Sequence, residues 1–265
     1  MTRVYVAGIG LLGPGLPAWA DAGAVLRGEA VLQSGEVAIP AATSLPSAER
    51  RRASAATRLA IAVGQEALHQ SGHAASDLAT VFAASGADGD TIHAILGVLA
   101  TAEREISPTR FHNSVHNAPS GYWSLAHAAM APSTSLCGFD GSFAIGLLDA
   151  AVQATVDARP VMLIVYDLAY PEPLAAVRPI GAAFAVALVL TPHRDDRTVA
   201  SLTLALHHDG AAGTGMADAS LEALRLGNPA ARSLPLLAAL AMGGHAEVGI
   251  ERIGSACLRI SVAPP

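Results

Sequence analysis

The stretch from Asp140 to Val156 narrows the choice of fold more than any other. Phe143, Ile145, Leu147, Leu148, Ala150 and Val152 leave it no polar stripe at helical spacing. A surface helix keeps one wet face, whereas a helix that is apolar all round has to be buried. A chain of 265 residues is long enough to surround such a helix with a sizeable core. The covering layers are predicted by runs of strand formers. Arg3–Ile9 is β-branched and apolar. Ser133–Cys137 is a short strand just before the buried helix, and Leu78–Ala84 is another. Val161–Tyr166 (VMLIVY) has the unbroken apolar pattern of a parallel strand covered on both faces. Ala182–Leu190 and Thr198–His207 follow as a pair, joined by Pro192–Arg197, and Ala256–Val262 alternates enough for a terminal strand.

Helices are predicted between these strands. Ser47–Gln70 carries Leu59, Val63 and Leu68 on one face, with Ser47 as its N-cap and Ser71-Gly72 as its stop. Gly35–Pro46 before it is loop. After the polar turn Ser85–Asp90, Thr91–Glu105 is amphipathic, with Ile92, Ile95, Leu96 and Leu99 together on a face that suits a core contact. Tyr122–Met130 is a shorter helix. After His208 the character changes: Asp209–Gly215 is rich in Gly and Ala, and Ala219–Leu226 and Ser233–Met242 are short helical patterns. The expected division is residues 1–208 and a short extension, residues 209–265, packed on the same domain.

Composition excludes several roles. Hydrophobic residues make up 52% of the chain and charged residues 14%, where soluble domains carry about 25% charged residues. Either much of the chain is buried or apolar surface meets a partner. The net charge is −6, and the one basic cluster, Arg50-Arg51-Arg52, reads as a solvated helix start, so no nucleic-acid partner is expected. Two cysteines do not make a disulfide framework, which points to a reducing, cytoplasmic setting. No apolar run reaches the roughly 18 residues of a membrane helix, and no membrane insertion is expected. Gly8-x-Gly10-x-x-Gly13 matches a dinucleotide fingerprint on paper. Pro14, Gly15 and Pro17 follow at once, so no helix can start at the third glycine to meet a pyrophosphate. His112 and His116 are four apart, but Pro108 and Pro119 bracket them and a third ligand is lacking, so no metal is expected. Cys137, in an apolar strand, reads as a core thiol.

The block Ile106–Gly146 is the most specific part of the chain. Ser107-Pro108, Phe111, Asn117, Gly121, Pro132 and Ser142 fall without a gap on the central pattern of the β-ketoacyl synthases, and the chain resembles that family. The opening strand with its Gly-x-Gly turn, Trp19 and Leu26-Arg27-Gly28 resembles the family's N-terminus in the same way. The resemblance implies a thiolase-like α/β fold, helices layered around a five-stranded mixed sheet, corresponding to the first half of a ketosynthase. The residue at the nucleophile position, two before Ser142, is Asp140, and Cys137 stands three residues too early. The residues after His208 are too few for a second half, and the family's two histidine motifs are not found. Claisen condensation needs a thiolate to carry the acyl chain and donors for the enolate oxygen. An ionised Asp140 is a weak nucleophile toward thioesters, cannot donate to an oxyanion and repels a malonate carboxylate. Its simpler role is a helix cap, where its side chain accepts backbone N–H bonds at the positive end of the helix dipole.

Within the family the chain resembles the shortened chain length factors found beside complete ketosynthases in aryl polyene pathways. That resemblance implies a non-catalytic subunit with no cofactor and no activity alone. Its partner would be a full-length ketosynthase, whose acyl tunnel it helps to shape, and acyl carrier protein would be met through that partner. The segment equivalent to Phe111–Trp123 lies at the two-fold interface in such dimers. Phe111, His112, His116, Asn117, Tyr122 and Trp123 are therefore expected there. Ala87, Thr91, Ile92 and Ile95, around the start of the helix expected at Thr91–Glu105, are candidates for limiting the tunnel. Two alternatives stay open: a stand-alone malonyl-thioester decarboxylase or acyltransferase using Asp140 or Cys137, and a homodimeric scaffold.

Overall fold

The computed structural model describes residues 1–33, 35–86, 88–102, 104–208, 212–251 and 256–265. Among these, the strands are Thr2–Leu12 (β1), Ala79–Ala83 (β2), Ser133–Leu136 (β3), Val161–Asp167 (β4), Phe184–Thr191 (β5), Ala200–His207 (β6), Ala246–Glu251 (β7) and Cys257–Ala263 (β8). The helices are Trp19–Leu26 (α1), Ser47–Arg52 (α2), Ala55–Ser71 (α3), Gly89–Leu99 (α4), Pro108–Asn113 (α5), Ala118–His127 (α6), Ser142–Val156 (α7), Leu174–Val177 (α8), Ala219–Gly227 (α9) and Leu234–Met242 (α10).

The strands form one mixed sheet of eight in the order β3-β2-β4-β5-β1-β6-β8-β7. β2 pairs in parallel with both β3 and β4, and every other pairing is antiparallel. The five-stranded sheet implied by the resemblance corresponds to the run β3-β2-β4-β5-β1, and the expected strands Thr198–His207 and Ala256–Val262 are β6 and β8. The sheet does not stop there, because β6 continues it along β1 and the β8–β7 pair continues it along β6. The physical reason is that β1 and β6 would otherwise present unpaired backbone N–H and C=O groups at a sheet edge. β7 (AEVGIE) escaped sequence reading because Glu247, Gly249 and Glu251 are poor strand formers, although they alternate with Val248 and Ile250.

α7 lies against β1, β2, β4 and β5, with Phe143, Ala144, Leu147, Ala150, Ala151 and Ala154 fully buried. The helix starts at Ser142, after a 3-10 turn at Phe139–Gly141, and so two residues later than its apolar pattern suggested. Its second cover is the 3-10 turn Ala230–Ser233, which runs into α10. Leu234, Leu236 and Leu237 join the same core. Its C-terminal end stays open, with Val152 40% and Val156 75% exposed.

The opposite face of the sheet is covered by α3 and α6. Here the glycines of β1 find their use. A methyl group on Gly8 would overlap the carbonyl oxygen of Ala67, and one on Gly10 that of Val63. Both glycines let the backbone of α3 lie directly on the strand. β6 pairs only with Thr2–Val6 of β1, so the rest of that edge needs other partners. Gln70 Oε1 accepts from the Ile9 amide at 2.6 Å, and Glu66 Oε2 accepts from the Leu11 amide at 2.9 Å. Glu66 Oε1 also accepts from the Trp19 amide at 2.7 Å, tying α1 to the same point. The helix expected over Ser47–Gln70 is two helices. Ser54, not Ser47, supplies the cap, accepting from the Thr57 amide at 3.3 Å, and a serine there offers the backbone this alternative to continuing α2. Gly72, with φ of +69°, ends α3 as expected.

The close contact of α3 with β1 makes a contrast between two glycines. Gly10→Ala should destabilise the protein by about 1–3 kcal/mol, the usual cost of overpacking. Gly121, on the exposed side of α6 with open space around it, is the control. Gly121→Ala should be neutral or stabilising by up to about 1 kcal/mol. Urea denaturation of both variants checks the pair, and equal effects would contradict the close-packing account.

Candidate functional site

Three parallel strands deliver chemistry-bearing residues to one end of the sheet. β2 ends just before Ser85, β3 just before Cys137 and β4 at Asp167. Asp167 is 4% exposed. Its Oδ1 accepts from the Ser85 amide at 2.8 Å and the Ser85 hydroxyl at 2.6 Å. Its Oδ2 is buried and has no hydrogen-bond partner among the described residues. Burial therefore dominates and lifts its pKa to about 7, against the pull of the Ser85 bonds and of Arg178. Asn228 reaches in from the C-terminal part, donating to the Asp167 carbonyl at 3.3 Å and to that of Ala182 at 2.7 Å.

Asp140 sits in the 3-10 turn and does not cap α7. Gly141 is the N-cap, and no side chain caps the helix. The reason is a competing charge: Arg178 Nη2 donates to Asp140 Oδ1 at 2.7 Å. The Arg178 guanidinium also lies over the Phe139 ring, 3.6 Å from its centre. Phe139 holds a left-handed backbone, φ +54°, a conformation a bulky residue rarely adopts. Ser142 ties this turn together, donating to the Phe139 carbonyl at 2.7 Å and accepting from the Gly138 amide at 3.0 Å. The Cys137 thiol donates to the Ser85 carbonyl at 3.1 Å. Among the described residues no histidine is hydrogen-bonded to Cys137 or Asp140, so neither has the paired base that activates a nucleophile. His116 Nε2 is instead bonded to the Leu136 carbonyl at 2.8 Å, and His112 stands edge-on to Tyr122. Among the described residues no group of three or more histidines, cysteines or carboxylates is placed to hold a metal. None of the described helices is long and apolar enough to cross a membrane.

The expected contact residues divide. Phe111 is 65% exposed, His112 and Asn117 are exposed and His116 is half-buried. Tyr122 and Trp123 are core residues, each 1% exposed, and do not face a partner. Tyr122 Oη donates to Asn113 Oδ1 at 3.1 Å, and Trp123 stacks on His127 beside Gly64. Burial holds the His127 pKa below its usual value. Both aromatics point inward because α6 turns Leu125, 58% exposed, to the outside instead. Thr91 is the one buried residue of α4, and Ile92 and Ile95 are half-buried. Ala87 lies outside the described residues. The face of α4 expected to meet the core does not: Leu96 and Leu99 are 59% and 41% exposed.

Sequence reading missed how much apolar surface gathers here. Val115, Leu125, Met130 and Phe139 are exposed along with Phe111, Leu96 and Leu99. Several of them lie on elements linked to β3, an edge strand of the sheet. α6 packs on β3, His116 bonds its end, Asn113 of α5 bonds Tyr122 of α6, and α5 packs on α4. The signal was in the composition, where so few charges leave little to cover such a surface.

The family model "Beta-ketoacyl synthase, N-terminal domain" matches residues 25–242. No curated protein sequence matches the chain. Solved structures are similar over its whole length. One is "Ketosynthase (ApeO) in Complex with its Chain Length Factor (ApeC)" from Xenorhabdus doucetiae. That match has a TM-score of 0.73 and 22% identity, covering 98% of this chain and 99% of that one. "The ishigamide ketosynthase/chain length factor" gives 0.74 and 13%, covering 100% and 99%. A type II polyketide synthase ketosynthase with its acyl carrier protein (AntDE:AntF) gives 0.74 and 12%, also covering 100% and 99%. At these identities the likeness is one of fold: mixed α/β, thiolase-like, with helices around a mixed sheet.

The buried carboxylate has a pH signature. An acid whose pKa rises from 3.8 when unfolded to about 7 when folded binds its proton more tightly in the native state. Its contribution to stability is fully present below pH 3.8 and is lost as pH rises through about 7. Asp167→Asn cannot ionise. The variant's stability relative to the parent should therefore climb from about pH 4 to 7 and then level, measured by denaturant titration across that range. A difference that does not move with pH would contradict the assignment.

Proposed function

We propose that this chain, which belongs to the family of β-ketoacyl synthase N-terminal domains, is a non-catalytic chain length factor. It pairs with a complete ketosynthase and helps to shape that partner's acyl tunnel in polyene or polyketide synthesis. The observation that carries the reading is the contrast at one end of the sheet. The nucleophile position holds an aspartate engaged by Arg178, while Leu96, Leu99, Phe111, Leu125 and Met130 are left exposed. A residual enzyme would be expected to keep the reacting groups. A subunit that works by shaping its partner keeps the surface.

The relatives support this reading: one structural neighbour is a ketosynthase in complex with its chain length factor, and another is a ketosynthase/chain length factor. Phe111, His112, His116 and Asn117 are the proposed contact residues. Thr91, Ile92 and Ile95 of α4 are the proposed tunnel wall. Acyl carrier protein is met through the ketosynthase, and the cytoplasm suits a protein working on carrier-bound chains. Residues 1–208 would carry the ketosynthase-like half, with residues 209–265 as cover for α7. Stand-alone decarboxylation at Asp140 or Cys137 is disfavoured by geometry, since one group is engaged by an arginine and the other hydrogen-bonds a carbonyl.

Co-expression with a complete ketosynthase tests the pairing. A stable heterodimer is expected, burying on the order of 2,000 Å². Placing charge on the apolar surface with Leu96→Glu and Phe111→Glu should weaken it by about tenfold or more, ~1.4 kcal/mol. Recovery of homodimers alone would sink the pairing and favour a scaffold. The isolated chain should release no carbon dioxide from malonyl carrier protein, and a release abolished by Asp140→Ala would show it to be an enzyme instead.

A further inference from the structure

Tyr170 leaves the β4–β5 connection three residues after Asp167 and turns its ring into the turn between β2 and α4. A methyl group on Gly86 would overlap its hydroxyl oxygen, and one on Gly89 would overlap its Cδ1. The ring thus occupies the space that two glycines leave free. Only about 10 Å³ of cavity remains between Tyr170, Asp88, Asp90 and Asp167. Burial pushes the Tyr170 hydroxyl above its ordinary pKa, as fits a wedged side chain.

α4 has little else to hold it. Thr91 is its one buried residue, and Asp88 caps it by accepting from the Thr91 amide at 3.0 Å. Beyond that first turn its main contact is the short helix α5, and Leu96 and Leu99 are exposed. A helix anchored at one end takes its direction from the shape of the anchor. A small rotation there moves residues one to two turns along by an ångström or more, since each turn advances about 5.4 Å.

We propose that Tyr170 is a positioning residue for chain length. Its ring fixes the direction of α4, and so the placing of Ile95, one to two turns along, toward the partner's acyl tunnel. The inference rests on the chain length reading above and adds to it a residue that acts through the start of α4.

The test uses the heterodimer with a complete ketosynthase and acyl carrier protein, reading the distribution of product lengths by mass spectrometry. Tyr170→Phe keeps the ring and should keep the wild-type distribution. Tyr170→Ala should still assemble, and should shift the main product by at least one elongation step or split it into several lengths. Amide exchange across Gly89–Leu99 should accelerate in the same variant. If Tyr170→Ala fails to assemble, Gly89→Ala presses the ring from the helix side without removing it, and should produce the same shift. An unchanged distribution in an assembled Tyr170→Ala pair overturns the proposal, or in the Gly89→Ala pair if Tyr170→Ala does not assemble. So does a shift in Tyr170→Phe as large as in Tyr170→Ala. Failure of the broader reading looks different, because the wild-type chain would then leave the ketosynthase's product length as it is without the chain.

Discussion

Burial of α7 is the constraint on which the rest of the structure depends. Its small and apolar residues press on four strands of the sheet, and its outer side is closed by Ala230–Ser233 and α10. Each covering element has its own anchor. Asn228, at the start of the C-terminal cover, bonds the carbonyl of Asp167 on the central strand β4. The Asn228 side chain also accepts from the Ala230 amide at 2.8 Å, which starts the turn that lies on α7. The polar link sits inside the apolar one and sets its register, which non-directional burial cannot do by itself.

The same end of the sheet shows what the chain does with the place where its family keeps a nucleophile. The turn before α7 retains a left-handed backbone at Phe139 and the serine that braces it. Asp140 stands there in a charge pair partly open to solvent, worth little in stability, ~0–1 kcal/mol. Its larger effect is positional: Arg178 ties the connection carrying Tyr170 and α8 down onto the turn. The connection in turn braces the start of α4.

The sequence made the layered α/β class legible because α7 is apolar on nearly every side and the strands β1, β2, β4, β5 and β6 read as short runs of strand formers and apolar residues. It also made the empty nucleophile position legible, since Asp140 stands at a fixed distance from Ser142. Three things were hidden, each for a physical reason. The break between α2 and α3 depends on Ser54 bonding Thr57 in place of a helix continuing, a choice between two nearly equal local bonds. The inward turn of Tyr122 and Trp123 depends on which side of α6 meets α3, which no local pattern states. The partner of Asp140 lies thirty-eight positions away, and Arg178 carries no mark in the sequence of what it will reach. The amphipathic pattern of α4 misled in the opposite way: its apolar face is real, but it is turned outward.

The central claim is that the surface around β3 and α4–α5 is where this chain does its work, by meeting a complete ketosynthase. Hydrogen–deuterium exchange before and after mixing with that ketosynthase tests it most directly. The account predicts new protection confined to Ser133–Leu136, Gly89–Leu99 and Pro108–Asn113, with β7 and α9, at the far edge of the sheet, unchanged. Protection that appears at β7 and α9 while β3 and α4 exchange as before would contradict it.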